Sequence, residues 1–224
     1  CVDSHWICGD SNFNIYDKDG NQITGGGGGG GGSGGCLKVD ADLNVFSDGT
    51  CSGCNLDGSA GCFNIFLGAC AGKAVTSGCC NVFIGKQVGK NTTTGYRNIG
   101  MGDDAMQGVM TGNKNIALGY MAARCMVSGQ SNIFLGNYAG MEGTAGNYNV
   151  FLGNEAGQKV ASGGNGNTFA GQGSGWMNST GAYNAFFGIG AGKCNQTTDN
   201  SVFVGSYAGC KNNAAYNIGV GPCA

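Results

Sequence analysis

A five-residue word recurs along this chain at a nearly fixed period. Asn64-Ile-Phe-Leu-Gly68 returns as Asn81-Val-Phe-Ile-Gly85, Asn98-Ile-Gly-Met-Gly102, Asn115-Ile-Ala-Leu-Gly119, Asn132-Ile-Phe-Leu-Gly136 and Asn149-Val-Phe-Leu-Gly153. It continues as Asn167-Thr-Phe-Ala-Gly171, Asn184-Ala-Phe-Phe-Gly188, Ser201-Val-Phe-Val-Gly205 and Asn217-Ile-Gly-Val-Gly221. Successive closing glycines lie 17, 17, 17, 17, 17, 18, 17, 17 and 16 residues apart. Such a unit is too short for a helix pair or a propeller blade. It predicts one coil of an all-β, parallel β-solenoid. About ten 17-residue coils, stacked at roughly 4.8 Å each, make up residues 62–224.

Two further words sit inside each unit. Ala71-Gly72, Val88-Gly89, Ala139-Gly140, Ala156-Gly157, Ala191-Gly192 and Ala208-Gly209 follow the closing glycine by three and four residues. A hydroxyl-Gly pair comes next: Ser77-Gly78, Thr94-Gly95, Thr111-Gly112, Ser128-Gly129, Ser162-Gly163 and Thr180-Gly181. Each unit thus reads as strand, glycine corner, small-residue segment and turn. Glycine at a corner supplies positive φ without steric cost. The repeated Asn64, Asn81, Asn98, Asn115, Asn132, Asn149, Asn167, Asn184 and Asn217 are expected to stack as a side-chain amide ladder that satisfies the backbone of the turn, not to bind a ligand.

Alternation divides the strand word between two faces. Its first and third apolar residues, such as Ile65/Leu67, Val82/Ile84, Ile116/Leu118, Ile133/Leu135 and Val150/Leu152, are expected to form the core. The middle residue is Phe66, Phe83, Phe134, Phe151, Phe169, Phe186 or Phe203 in seven coils. An outward Phe stripe of that length exceeds what a soluble monomer exposes. It predicts an oligomer interface, most simply between three parallel chains about a threefold axis. The alternative is that Phe points inward and the aliphatic residues pack under a long loop of the same chain.

Thirteen cysteines in 224 residues point to an oxidising setting and structural disulfides. An odd number leaves at least one thiol free or paired with another chain. Cys62 and Cys79 both lie two residues before the repeat Asn in adjacent coils, within disulfide reach. Cys194 and Cys210 sit six and five residues past the repeat glycine in neighbouring coils and form a second candidate pair. Cys125 shares the position of Cys194 four coils away and cannot reach it. The Cys51-Ser-Gly-Cys54 spacing lacks the second pair or histidines of a metal site, so disulfide chemistry is the simpler reading.

The N-terminal residues differ. Residues 1–24 read as a β segment in which Ser11-Asn-Phe-Asn-Ile-Tyr16 runs into a tight Asp19-Gly20 turn. The Asp17/Asp19/Asn21 spacing imitates the start of a calcium loop but has no downstream Glu. Residues 25–35 are a poly-Gly linker, with ordered packed strands as the alternative. Residues 36–61 read as a capping or transition β segment, because Asn44-Val-Phe46 echoes the repeat word and an open ladder edge needs cover. A chain that starts at Cys1 is expected to be processed or to be a piece of a longer one.

Composition narrows the function classes. A net charge of −2 offers no phosphate-neutralising face, so nucleic acid is not an expected partner. No apolar run is long enough for a transmembrane helix. One His, 13 acids and 11 bases, mostly scattered, suggest no catalytic constellation, no metal site and no cofactor.

The phrase Asn81-Val-Phe-Ile-Gly85 through Thr94-Gly95 resembles the repeats of viral tail-fibre and related fibre proteins. The cysteine-sprinkled version, Gly68-Ala-Cys70-Ala-Gly-Lys-Ala-Val-Thr-Ser-Gly78, is similar to structural proteins of marine cyanophages, and the style is that of trimeric autotransporter adhesin heads. The likeness covers about residues 62–221. Thr168/Ala170 and Gly100/Gly219 depart from it. The resemblance implies a trimeric fibre, on a virion or extracellular surface, that reaches a host glycan or protein. Trp176, Tyr183, Tyr138 and Tyr207 are the aromatic residues that could stack on sugars, or else simply pack. A self-assembling, disulfide-stabilised extracellular filament is the alternative.

Overall fold

A computed structural model describes residues 8–9, 15–16, 37–40, 43–47, 51–56, 61–108, 110–143, 145–160, 163–211 and 214–224. The chain divides into two compact units, Cys1–Cys36 and Leu37–Ala224. In the first, β1 (Cys8–Gly9) pairs antiparallel with β2 (Ile15–Tyr16). The Asp17–Asn21 turn and the 25–35 glycine run lie outside the described residues.

The second unit holds one twelve-stranded sheet in strict sequence order. It begins with β3 (Leu37–Val39) and β4 (Val45–Ser47). The repeat strands follow as β5 (Ile65–Leu67), β6 (Val82–Ile84), β7 (Ile99–Met101), β8 (Ile116–Leu118), β9 (Ile133–Leu135), β10 (Val150–Leu152), β11 (Thr168–Ala170), β12 (Ala185–Phe187), β13 (Val202–Val204) and β14 (Ile218–Val220). From β4 to β14 every pairing is parallel. The molecule is therefore a parallel β-solenoid with coils about 17 residues apart, and no helix occurs among the described residues. The 18-residue and 16-residue coils keep register, with Phe151 opposite Phe169 and Phe203 opposite Gly219. At the first coil β3 runs antiparallel to β4, with Lys38 opposite Phe46. It occupies the edge to which another parallel coil would otherwise add.

The facing of the strand word is the reverse of the expectation. Phe66, Phe83, Phe134, Phe151, Phe169, Phe186 and Phe203 are all buried within the single chain and are not an oligomer interface. The aliphatic residues on either side of them point outward; Ile65, Ile99 and Met101 are exposed. The repeat Asn explains why. Asn64 and Phe66 are two residues apart and so share one face of the strand. Asn64 is fully buried, and Phe66 goes inside with it.

The width of the coil enforces the same choice. A Cβ placed on Gly72 would lie 2.7 Å from the Phe66 ring, and one on Gly89 would lie 2.4 Å from that of Phe83. The interior holds one aromatic ring between the strand and the small-residue segment. Two inward aliphatic side chains per coil would overfill it. The rings form a column: Phe151–Phe169 and Phe169–Phe186 stack at 4.9 and 4.8 Å between centroids. Where the strand residue is Gly100, the facing position holds Met106 instead of glycine, and where it is Ala117 the facing residue is Ala123. The core volume is kept by reciprocal exchange across the coil.

Candidate functional site

The asparagines form one continuous hydrogen-bonded ladder. Asn115 Oδ1 accepts from the Asn132 backbone N–H at 3.0 Å and from its Nδ2 at 2.9 Å. Asn132 Oδ1 does the same for Asn149 at 2.9 and 3.1 Å. The Nδ2 groups of Asn64, Asn81, Asn98 and Asn115 also donate to the carbonyls of Gly78, Gly95, Gly112 and Gly129 at 2.8 to 2.9 Å. These are the glycines of the hydroxyl-Gly turns. Asn149, Asn167 and Asn184 bond the carbonyls of Gly164, Gly181 and Thr198 in the same way. Asn44 starts the ladder, one coil before the first expected member: its Oδ1 accepts from the Asn64 N–H at 2.8 Å. Ser201 interrupts it near the other end, so Asn217 bonds the serine hydroxyl and the nearby Ala214 carbonyl instead. From Asn44 to Asn184 the ladder side chains are buried and bonded to one another and to the turns, so the ladder reads as structural support for the turns.

The cysteines named as disulfide partners, Cys62, Cys79, Cys194 and Cys210, are free thiols in this structure. They do lie in contacting coils. The Cys194 N–H donates to the Cys210 carbonyl at 3.0 Å, and the Cys80 N–H donates to that of Cys62 at 2.9 Å. Burial, followed by a hydrogen bond with Cys80, pushes the Cys79 thiol up from its ordinary range. Cys54 is exposed, yet partial desolvation and then a hydrogen bond with Cys51 push its thiol up to about 11. Among the described residues no three His, Cys, Asp or Glu side chains are grouped to hold a metal ion. No helix there is long and apolar enough to cross a membrane.

The feature left without a partner is the outer face of the sheet. The strands β5 to β14 place two residues each on it, and of those twenty positions only Thr168 is polar and none is charged. In β7, inside the stack, Ile99 and Met101 are 38% and 42% exposed. Ile218 and Val220 of β14, which have a coil on one side only, are 79% and 71% exposed. Coverage by the coils above and below accounts for that difference, and no other described segment of the Leu37–Ala224 unit lies over the face. Sequence reasoning found the right strand and assigned the wrong side of it. The parity of Asn64 and Phe66 was the signal that separates the two.

Aromatic residues mark the other surfaces. Tyr148, Tyr183 and Tyr216 each stand one residue before a repeat Asn and are well exposed. Trp176 is half-buried; its Nε1 donates to Gln158 Oε1, and Lys159 Nζ lies 4.7 Å from its ring centroid. Of the sugar-stacking residues named from sequence, Tyr138 packs edge-on against Tyr120 at 5.4 Å, whereas Tyr207 is 44% exposed. No protein-family model, curated protein or solved structure matches this chain.

Proposed function

We propose that this chain is a structural fibre protein, a trimeric β-solenoid stalk of a virus or phage tail that serves host attachment from a virion or extracellular surface. The observation that carries the reading is the outer sheet face. Ten strands at about 4.8 Å make it roughly 45 Å long. Of its twenty side chains nine are exposed and eleven half-buried, and together they present on the order of 1,000 Å² of mostly apolar surface, against a few hundred on ordinary monomers and about 800 Å² per partner in a stable interface. Copies of the same chain are the occupants that match its length, straightness and lack of charge. Three parallel copies bring one face each to a common axis and close the assembly. A stack of parallel coils with a continuous apolar face suits a load-bearing spacer, and the repeat resemblance points to fibres that reach a host.

The test is native mass by light scattering over a dilution series, without reductant. The reading expects a constant mass of about 67 kDa, three times the 22.4 kDa chain. Leu135→Glu, which puts a carboxylate at the centre of the outer face, is expected to return the protein to a folded monomer. A wild-type monomer at micromolar concentration would remove the trimer. A mass that climbs with concentration would replace it with an open filament.

A further inference from the structure

One column of the solenoid surface changes character over two coils. Two residues past each corner glycine stand Cys70, Gln87, Asp104, Met121, Tyr138 and Glu155, then Gly173 and Gly190, then Tyr207 and Cys223. The backbone does not demand glycine there. Tyr138, Glu155 and Tyr207 hold φ of 60°, 58° and 56°, against 61° and 64° for Gly173 and Gly190. Packing does not demand it at Gly173 either, since an added Cβ would meet nothing within 4 Å. At Gly190 the Tyr207 ring lies over the backbone, 2.6 Å from where a Cβ would be.

The result is a notch of about 90 Å³ lined by Glu155, Gln172, Gly173, Ile189, Gly190, Lys193 and Tyr207. Its floor is peptide backbone and one wall is an aromatic ring. Among its lining residues Glu155, Gln172 and Lys193 carry a carboxylate, a primary amide and an ammonium group, and Lys193 Nζ also lies 5.9 Å from the Trp176 ring centroid. Among the described residues neither the Glu155 carboxylate nor the Gln172 side-chain amide has a hydrogen-bond partner in the chain. The column lies beyond the glycine corner from the strand, so assembly through the sheet face leaves it open.

We propose that this notch binds a saccharide residue. A pyranose ring offers one C–H face and a rim of hydroxyls that both donate and accept. Tyr207 supplies the apolar surface for the first. Glu155 accepts, Lys193 donates and Gln172 does either. The mixed charge argues against a phosphate or other simple anion, and the polar rim against a lipid chain. The site also deepens the fibre reading, on which its biological sense rests, by naming a glycan as the host-surface chemistry.

Saturation-transfer NMR on the intact chain tests this with the methyl glycosides of glucose, galactose, mannose and N-acetylglucosamine. Two variants accompany it. Gly173→Tyr fills the notch with a residue that the same column already accepts at Tyr138, so it folds. Tyr207→Ala removes the aromatic wall. The expected result is transfer to at least one glycoside, with affinity lowered at least about tenfold in both variants. Absence of transfer to all four probes, or equal transfer to wild type and Gly173→Tyr, overturns the proposal. The native mass, read on the same samples, separates the two claims. A trimer that binds no glycoside keeps the fibre and loses the site. A monomer that binds through the notch does the reverse.

Discussion

The Asn132 side chain donates to the carbonyl of Gly146, fourteen residues onward, across 2.8 Å. One amide thereby ties a strand start to the turn that feeds the next coil. Its oxygen meanwhile accepts two bonds from Asn149. Closure of a coil and stacking of coils depend on the same side chain.

Asn132→Ala takes the partner from the part-buried Gly146 carbonyl and from the buried Asn149 backbone N–H, while Asn149 Nδ2 keeps its bond to Gly164. Each unsatisfied buried group costs about 1–3 kcal/mol, so the expected loss is at least about 2 kcal/mol. Urea unfolding monitored by circular dichroism measures it. Ser201→Asn, which restores the amide at the ladder's break, is expected to move the midpoint the other way.

The reciprocity of Gly100 with Met106 predicts a rescue. Gly140→Met drives a Cβ to 2.5 Å from the Phe134 ring and is expected to be severely destabilising on its own. Phe134→Gly leaves a cavity worth about 3–5 kcal/mol. The double variant reproduces the arrangement found two coils earlier and is expected to recover most of the combined loss. A double-mutant cycle with no coupling between the two sites would refute the exchange.

Asn178 and Asn195 are fully buried, and their amide atoms find no protein partner among the described residues. Two of their counterparts in other coils, seven residues past the corner glycine, are Val75 and Val160. Asn178→Val removes the unsatisfied amide and is expected to stabilise by about 1–3 kcal/mol. A lowered melting temperature would show that the amide is engaged.

The Cys54 thiol is pushed up to about 11, by desolvation first and then by the hydrogen bond with Cys51. A raised thiol pKa favours the neutral form, so nucleophilicity is gained only as pH climbs towards that value. Roughly one Cys54 in a hundred is thiolate at pH 9, and its alkylation by iodoacetamide should still rise about tenfold between pH 9 and 10. Peptide mass spectrometry resolves this site from the others. A rate already flat above pH 9 would contradict it.

Periodicity carried the fold. The seventeen-residue return of Asn and Gly was enough to give parallel stacking, coil number and the Asn ladder, because each depends on like positions meeting. Direction was harder. Phe66 and Ile65 are both apolar, and hydrophobicity alone does not say which turns inward. The buried amide two residues from Phe66 does, together with the narrow gap to Gly72. The notch was illegible for a different reason. Gly173 and Gly190 are two among 48 glycines, and their column emerges only once the 18-residue coil is registered against its 17-residue neighbours. Shared position does bring the Cys62–Cys79 and Cys194–Cys210 pairs into contacting coils, where the thiols stand free.

Register survives both the long and the short coil, and each inner strand pairs with the two beside it. The array can therefore be lengthened or trimmed by whole units without redesign. Each duplication of seventeen residues adds one rung, about 4.8 Å of reach, and leaves the remaining rungs as they were. In the Leu37–Ala224 unit the repeat thus works as a scale, graduated in whole rungs.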